Sequence, residues 1–542
     1  MVIIVKKRII SLILAALTLV CVFSSLAGCK PAGKGAFKDD PDKEVTLKWA
    51  LSMPEQSDYK EVLVAINEEL AKHMPNTKLE LLLDGNMESK WALWMSGGVP
   101  IDIAEAGWVT DMLKEVPNDS YLPMNSLIDE YGPNIKAEWE GVYADDYATA
   151  VYGDELYGIP LIQYHINDTV AVGIPSDLFE FLDFDALLAE GMNNPKTTRR
   201  LYEILDEYLT KAFASDKVDN SSISSIICIK RLYESLAKRG YQFLGKTDSN
   251  ICYDPYAAEA KIVDFHTTEE FKTFMEFAQK WYSKGYVSQD IFTGGGPGNR
   301  AYVLDITMAY GHSEETDKTH KKEDFNKDMG PNGVMWTLIG IDDPKHQYRG
   351  FVDQGGMNCQ SIPYTSENPA RAMRFLDFLH TEAARPLLNL ITYGIEGKHW
   401  DRVDSSKGSN LLTPKFYAAQ GSGSSPYGIP NWLVNNMFYI DVCYPVYSND
   451  TIAYANKYFN ELRQNAMKTP VYGLTFKRDA IENSLTQLSA MNRQFEVQVY
   501  SGAMEKDTEK TYNEMLAATE RVGLKTVLEE LQKQVDEYVA KK

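Results

Sequence analysis

The sequence predicts an α/β protein, and the order of its first five elements is the main indication. Residues 45 to 51 alternate as a strand does, and residues 57 to 73 carry apolar side chains three and four positions apart, as one face of a helix does. A strand pattern at residues 78 to 83, a helix pattern at 88 to 95 and a strand pattern at 100 to 104 continue the alternation. This order is typical of a parallel sheet with helices on its faces.

The first 28 residues have the layout of a secretory signal peptide. Lys6, Lys7 and Arg8 precede an apolar run at residues 9 to 22, and small residues then lead directly into Cys29. The stretch Leu-Ala-Gly-Cys resembles the bacterial lipobox, which implies cleavage before Cys29 and a lipid on its thiol. An ordinary signal peptide with an unrelated cysteine is the alternative.

This resemblance implies that the protein is lipid-anchored on the extracellular face of the cell membrane. Residues 29 to 43 are rich in Gly, Pro, Lys and Asp, so we expect a flexible linker that follows the lipidated Cys29. No later apolar run approaches membrane-spanning length, and we therefore expect the lipid to be the only membrane contact.

Charge and cysteine content exclude several classes of function. The formal net charge is −21, and because the signal carries three positive charges, the remainder is near −24. Such an acidic surface repels phosphate backbones, so nucleic acid is not an expected partner. Cys228, Cys252, Cys359 and Cys443 lie far apart and have no histidine at ligand spacing, which indicates neither a zinc site nor a redox motif. Free thiols or one disulfide both remain open.

The later sequence contains further strands and many helices. Residues 118 to 160 are rich in turns, and helical patterns dominate from 174 to 290. Strand patterns follow at 302 to 308, 334 to 339 and 356 to 358. A helix is expected at 368 to 379, and the chain is expected to be helical from about residue 478 to its end.

Candidate ligand residues lie at the carboxyl ends of the predicted strands, because connecting loops converge there and leave a crevice. The loops concerned are residues 53 to 58, 84 to 87 and 106 to 108. The chain also has 9 Trp and 32 Tyr, and flat rings with a polar edge suit the faces of sugars. Trp108 follows a strand, and Trp432 lies in a loop after a Gly/Ser-rich segment, so both are candidates for ligand contact.

Signatures of catalysis and of metal binding are missing from the sequence. It contains no H-E-x-x-H, no G-x-x-x-x-G-K-[ST] and no G-x-S-x-G motif. Asp324 begins a stretch that imitates a calcium loop, but its glycine falls one position late and the closing glutamate is replaced by Met335. Paired carboxylates such as Asp145-Asp146 are usually solvated. We therefore expect no enzyme, no cofactor and no metal.

Several stretches together give the chain a family resemblance. They are Gly98-Val99-Pro100-Ile101-Asp102, Tyr131-Gly132-Pro133, Tyr157-Gly158-Ile159-Pro160 and Tyr393-Gly394-Ile395-Glu396-Gly397. With the lipobox, their order resembles the extracellular solute-binding lipoproteins of ABC importers, in the sugar-binding family 1 group and its large Gram-positive branch.

This resemblance implies a two-lobed, periplasmic-binding-protein-like fold of type II with helical C-terminal additions. The expected N-terminal lobe comprises residues 44–160 and 311–356, and the C-terminal lobe comprises 161–310 and 357–542. The chain would cross between lobes near Pro160 to Gln163, Tyr310 to Gly311 and Gln354 to Asn358. The residues expected to bind ligand are Gln56, Asp58, Asp84, Trp108, Gln163, Tyr164, Trp336 and Trp432.

The expected function is capture of a solute, by a monomer, for delivery to ABC permease subunits in the membrane. An oligosaccharide is the favoured solute, and a peptide is an alternative. A secreted, lipid-anchored glycan hydrolase is a second hypothesis, which needs two carboxylates about 5 to 10 Å apart and turnover. A surface adhesion or scaffolding protein is a third, which would expose an apolar patch instead of a closable cleft.

Overall fold

The computed structural model of the chain describes residues 37–107, 109–141, 143–162, 170–218, 232–244, 250–287, 304–307, 321–325, 336–353, 357–403, 411–415, 425–443, 465–504 and 508–542. The strands are β1 Val45–Leu51, β2 Thr77–Leu83, β3 Ile103–Ala106, β4 Val151–Tyr152, β5 Glu155–Leu156, β6 Ile159–Pro160, β7 Val170–Pro175, β8 Gln242–Phe243, β9 Ile251–Tyr253, β10 Val263–Asp264, β11 Leu304–Thr307, β12 Lys321–Phe325, β13 Trp336–Gly340, β14 Tyr348–Arg349, β15 Cys359–Ser361, β16 Trp400–Arg402, β17 Leu411–Pro414, β18 Val442–Cys443 and β19 Met467–Lys468. The α-helices are α1 Tyr59–Ala71, α2 Met87–Ser96, α3 Met112–Glu115, α4 Asn125–Tyr131, α5 Pro133–Trp139, α6 Ala144–Ala148, α7 Phe184–Asn193, α8 Arg199–Phe213, α9 Glu269–Ser283, α10 Pro369–Leu379, α11 Arg385–Tyr393, α12 Glu482–Ser501, α13 Thr508–Arg521 and α14 Leu524–Val539.

The first lobe is built on a five-stranded sheet in the order β2-β1-β3-β15-β6. Strands β1, β2 and β3 are parallel, as the strand–helix alternation predicts, whereas β15 runs antiparallel to both β3 and β6. The apolar side chains of β1 are buried because helices cover the sheet, and Trp49 at its centre is fully buried against Phe375 of α10. The predicted α/β class is confirmed.

The second lobe has a four-stranded sheet in the order β11-β7-β13-β12. Helix α8 buries one apolar face on it, and α9 adds the aromatic stripe of Phe271, Phe274 and Trp281, which the sequence pattern indicates as core. Strand β7 pairs with β11 on one side and with β13 on the other, so the strands on both sides of residue 311 belong to this sheet.

The C-terminal helices form a third apolar cluster that joins the second lobe. Leu485, Leu488, Val527 and Leu531 pack with residues of β9 and with Phe351. Helix α12 also sends Val499 and Tyr500 into the core of the second lobe, so the two clusters share a helix. The helical C-terminal addition expected from the sequence is therefore an integral part of the second lobe.

Within the described residues, the chain changes lobe at three points: between Ile162 and Val170, between Asp353 and Met357, and between Cys443 and Asn465. The expected lobe boundaries are therefore corrected. The described residues of 311–356, namely 321–325 and 336–353, do not join the first lobe, because β12 pairs with β13 and β13 is hydrogen-bonded to β7. Residues 357–403 and 425–441 do join the first lobe, because β15 is inserted between β3 and β6, and helices α10 and α11 complete the first core.

The expected linker at residues 29–43 also needs correction, because its described part is docked on the first lobe. Arg371 of α10 is 3% exposed and donates to the Asp39 carboxylate at 2.8 and 3.0 Å. Its other N–H groups donate to the Asp40 carbonyl at 2.6 Å and the Thr77 hydroxyl at 2.9 Å. One buried arginine thus binds a carboxylate and several neutral acceptors, and Phe37 packs against the first core, so this segment is held on the lobe by polar and apolar contacts together.

Candidate functional site

The carboxyl edge of the first sheet brings the predicted ligand loops and the lobe crossings together. Leu51 of β1 is in register with Leu83 of β2, so the loops that follow both strands leave the sheet at the same edge. Cys359 pairs with Ala106 at the end of β3 and with Pro160 at the end of β6. Two of the three crossings therefore begin or end at this edge, where a crevice between lobes is expected.

Gln56 lies in the loop after β1 and presents a buried amide donor. The residue is 4% exposed, and its Oε1 accepts from the Gly428 N–H at 2.7 Å, which fixes the orientation of the amide. Its Nε2 is buried and has no hydrogen-bond partner among the residues that the structure describes. A buried donor without an acceptor costs about 1 to 3 kcal/mol, so this group is suited to an acceptor from outside the chain.

Asp58, also in this loop, is held by the segment Gly394 to His399. Its Oδ2 lies 2.7 Å from Lys398 Nζ and 3.3 Å from His399 Nε2. His399 Nδ1 accepts from the Ile395 N–H at 2.9 Å, so the ring proton is on Nε2 and is donated to Asp58. The Lys398 ammonium, with hydrogen bonds from Ser57 and His399, lowers the pKa of the Asp58 carboxyl to about 2.

Asp84 is likewise paired within the chain, after β2. Its Oδ2 lies 2.5 Å from Lys90 Nζ, and its Oδ1 accepts from the Asn86 N–H at 2.8 Å. The hydrogen bonds from Lys90 and Asn86 lower the pKa of the Asp84 carboxyl. Both carboxylates are therefore ionised, and each is paired with a lysine of the same chain. These ion pairs hold the conformation of the loops.

Trp432 stands beside the crossing at Asn358. The Asn358 side chain donates to the Trp432 carbonyl at 3.5 Å, and the Gln360 amide donates to the Leu433 carbonyl at 2.6 Å. Gln360 in turn accepts from Trp49 Nε1 at 2.7 Å, which ties this loop to the centre of the sheet. The Trp432 ring is half-buried against the first core, so part of it remains accessible.

For the remaining predicted ligand residues, the structure describes only part of the surroundings. Gly107, with φ of +87°, approaches the Met357 carbonyl so closely that a Cβ would lie 2.2 Å from it, so the end of β3 touches the second crossing. Trp108, Gln163 and Tyr164 lie outside the described residues, as does the signal and lipidation site at Cys29. Trp336 begins β13 in the second lobe, and its side chain also lies outside the description.

A buried polar network fixes the first crossing, and the sequence analysis missed it. Asn436, fully buried, accepts from the Ile162 N–H at 2.6 Å and donates to the Glu138 carboxylate at 3.3 Å. Glu138 also receives hydrogen bonds from Tyr147 at 3.0 Å and from His380 at 2.9 Å. Burial opposes its ionisation, but the His380 charge and these hydrogen bonds lower the pKa of Glu138. His380 lies 242 positions after Glu138, and Asn436 lies 274 positions after Ile162. No local sequence pattern could therefore predict this network.

Within the described ranges, no group of three or more His, Cys, Asp or Glu side chains is arranged to hold a metal ion. None of the helices in that part of the chain combines the length and apolar character of a membrane span. A shallow depression of about 480 Å³ lies on α13, lined by Glu509, Lys510, Asn513, Glu514 and Ala517. It lies on the surface of one helix and takes no part in the edge between the lobes.

Comparison with known proteins gives two curated relatives. A carbohydrate ABC transporter substrate-binding protein from Streptococcus pneumoniae is 22% identical over 286 residues, 52% of either chain, so the match spans about half of that relative. The polygalacturonan/rhamnogalacturonan-binding protein YtcQ from Bacillus subtilis is 23% identical over 409 residues, 70% of this chain and 71% of that protein. Residues 470–540 match a family model described as a domain of unknown function, DUF3502.

Solved structures show the same fold. The N-glycan transport solute binding protein from Streptococcus pneumoniae superposes with a TM-score of 0.66 at 17% identity, over 92% of this chain and 100% of that one. The alginate-binding protein AlgQ2 without calcium ion gives a TM-score of 0.54 at 18% identity, over 91% and 98%. The predicted type II solute-binding fold is confirmed, and so is the family resemblance, since these homologues and neighbours are substrate-binding proteins and not enzymes.

Proposed function

We propose that the protein is the substrate-binding component of an ABC importer, which captures an oligosaccharide between its lobes and delivers it to a membrane permease. One observation carries the proposal: the loops after β1, β2 and β3 leave the first sheet at the edge where the chain crosses to the second lobe. A crevice bounded by crossings can close around a solute, and the closed population is the state that a permease distinguishes.

An oligosaccharide is the solute that the available groups suit. Gln56 offers a buried amide donor that no described residue satisfies, and Trp432 offers part of an indole ring. Sugar hydroxyls accept from amides, and pyranose faces stack on flat rings. The pneumococcal structural neighbour has been solved with Man1GlcNAc and with Man5GlcNAc, and the Bacillus relative is named for pectic polymers. These ligands differ, so the proposal concerns the class and not one sugar.

The membrane attachment is part of the proposal. Cleavage before Cys29 and lipidation of its thiol would leave eight residues, 29 to 36, ahead of the docked Phe37. Eight residues span at most about 28 Å, so the first lobe would stay close to the bilayer. Mass spectrometry of the N-terminus is expected to find the lipid on Cys29. Cys29→Ser is expected to leave the signal uncleaved or to release the protein from the membrane.

Calorimetric titration of the chain from residue 29 onwards, against oligosaccharides and peptides of matched size, tests the function. We expect saturable binding of an oligosaccharide in a one-to-one ratio, with the ligand recovered intact. Shortened sugars in the recovered ligand would favour the hydrolase, and saturation by peptides alone would favour the peptide-binding alternative. Absence of binding by every sugar tested would refute the assignment of solute class.

A further inference from the structure

The two lobes also touch away from the crossings, at Asp145. This carboxylate belongs to α6 of the first lobe, and the Tyr472 hydroxyl of the second lobe donates to its two oxygens at 3.1 and 3.0 Å. The guanidinium of Arg349, on β14, forms an ion pair with the same carboxylate. Arg349 is 18% and Asp145 36% exposed, so the pair is partly shielded from water.

Tyr472 is held in place by cations and by the last helix. Lys468 Nζ lies 4.9 Å from the centre of its ring, the Arg349 guanidinium 5.6 Å and Lys542 Nζ 5.9 Å. Tyr538 of α14 donates to the Tyr472 carbonyl at 2.8 Å. In a chain with a net charge of −21, three cations around one ring form a local positive surface, and Asp145 of the other lobe faces it.

An electrostatic interaction between the lobes points the same way. Burial and the nearby Asp479 of the second lobe raise the pKa of Tyr152, which belongs to β4 of the first lobe. Tyr472 and Asp479 both lie within residues 470–540, the segment that matches the family model of unknown function. This segment therefore contributes to the core of one lobe and also reaches the surface of the other.

We propose that Tyr472 and Arg349 of the second lobe act as an interlobe brace, which holds Asp145 of the first lobe and thereby stabilises the arrangement of the lobes seen here. A hinged pair of lobes is an equilibrium between arrangements, and a contact between them shifts it toward the one in which the contact forms. The brace acts on the empty protein and is independent of which solute binds. Its failure would therefore leave the proposed function untouched.

Single-molecule energy transfer on the ligand-free protein tests the brace. Dyes are placed at Leu93→Cys in α2 and at Lys533→Cys in α14, both exposed, after serine has replaced the other reactive cysteines. Asp145→Asn and Tyr472→Phe are each expected to lower the ratio of the braced arrangement to the others about three- to tenfold, as loss of one partly shielded charged contact would.

Two further variants separate the brace from a general loss of stability. Asp154→Asn removes an exposed carboxylate from the same region of the first lobe and is expected to leave the distribution unchanged. Exchanging the charges, with Asp145→Arg and Arg349→Asp together, is expected to restore part of the braced population that Asp145→Arg alone removes. Distributions of Asp145→Asn and Tyr472→Phe that superpose on the parent would overturn the proposal, whether or not their melting temperatures fall.

Discussion

Arg371→Met tests the clamp that docks the residues ahead of β1. Methionine keeps most of the side-chain stem, so the change removes mainly the charge and the hydrogen bonds to Asp39, Asp40 and Thr77. The pair is deeply buried, with Arg371 3% and Asp39 5% exposed. Removing one partner of a buried ion pair leaves the other charge without compensation, and this costs about 3 to 5 kcal/mol of unfolding free energy.

Urea unfolding followed by Trp emission measures the loss, and Arg374→Met is the matched control. Arg374 also contacts Asp39, at 3.2 Å, but it is 43% exposed, so its removal is expected to cost about 1 kcal/mol or less. In a double-mutant cycle, Asp39→Asn is expected to couple to Arg371→Met by more than about 1.5 kcal/mol and only weakly to Arg374→Met. Brief trypsin digestion should also cut Arg371→Met more readily after Lys38 and Lys43. Equal small losses in both arginine variants, with no coupling, would refute the clamp.

Three further changes probe the site edge and its support. Asp58→Asn should cost about 1 kcal/mol at pH 7, after allowance for solvent screening. The folded pKa of Asp58 is about 2, below its ordinary value of 3.8. The difference in unfolding free energy between the variant and the parent should therefore persist down to about pH 4 and vanish near pH 2 in unfolding titrations. A difference that does not depend on pH would contradict the ion pair. Gln56→Leu should weaken oligosaccharide binding about tenfold. It removes the unsatisfied Nε2 donor but also the acceptor of the Gly428 N–H, so no rise in melting temperature is expected; unchanged affinity in calorimetry would remove Gln56 from the site. Asn436→Leu should lower the free energy of unfolding by about 2 to 4 kcal/mol and speed hydrogen exchange at the Ile162 amide. Exchange at Ile162 as slow as in the parent would show that Asn436 is not needed to hold the first crossing.

Many strands and helices of the first lobe were predictable from the sequence, because short local patterns of apolar residues determine where they begin and end. Strand β1 at Val45–Leu51 and helix α10 at Pro369–Leu379 lie within a residue or two of the patterns that predict them. The lobe assignment was not predictable in the same way. Strand β15 has only three residues, and nothing within them records that it pairs with β3 about 250 positions earlier. Long-range pairing is decided by the fit of whole surfaces, which a local pattern does not contain.

In the candidate site, too, the features set by local sequence were predictable and those set by long-range contacts were not. The rule that ligands meet the carboxyl ends of strands predicted the loop of Gln56, which lies at the edge where the lobes join. Trp432, predicted from its loop and its indole ring, lies beside the crossing at Asn358. The intramolecular pairing of Asp58 with Lys398 was not foreseen, because the two residues are brought together only by the fold. A carboxylate in a predicted loop therefore says where a site could be, but its neighbours in space decide whether it is free to bind.

The division of each lobe among separate segments has a consequence for synthesis and folding. The first lobe uses described residues between 37 and 162 and between 357 and 443, so its sheet lacks β15 until about two thirds of the chain has been made. The second lobe needs α12 and α14, and its core is therefore incomplete until the last residues have emerged. Since domains fold as units once their sequence is available, the first lobe should acquire its structure before the second, and truncation after residue 443 should spare the first lobe alone. A stop codon soon after residue 443 would thus leave a folded first lobe attached to a second lobe whose apolar core lacks the C-terminal helices, and such exposed apolar surface is prone to aggregation.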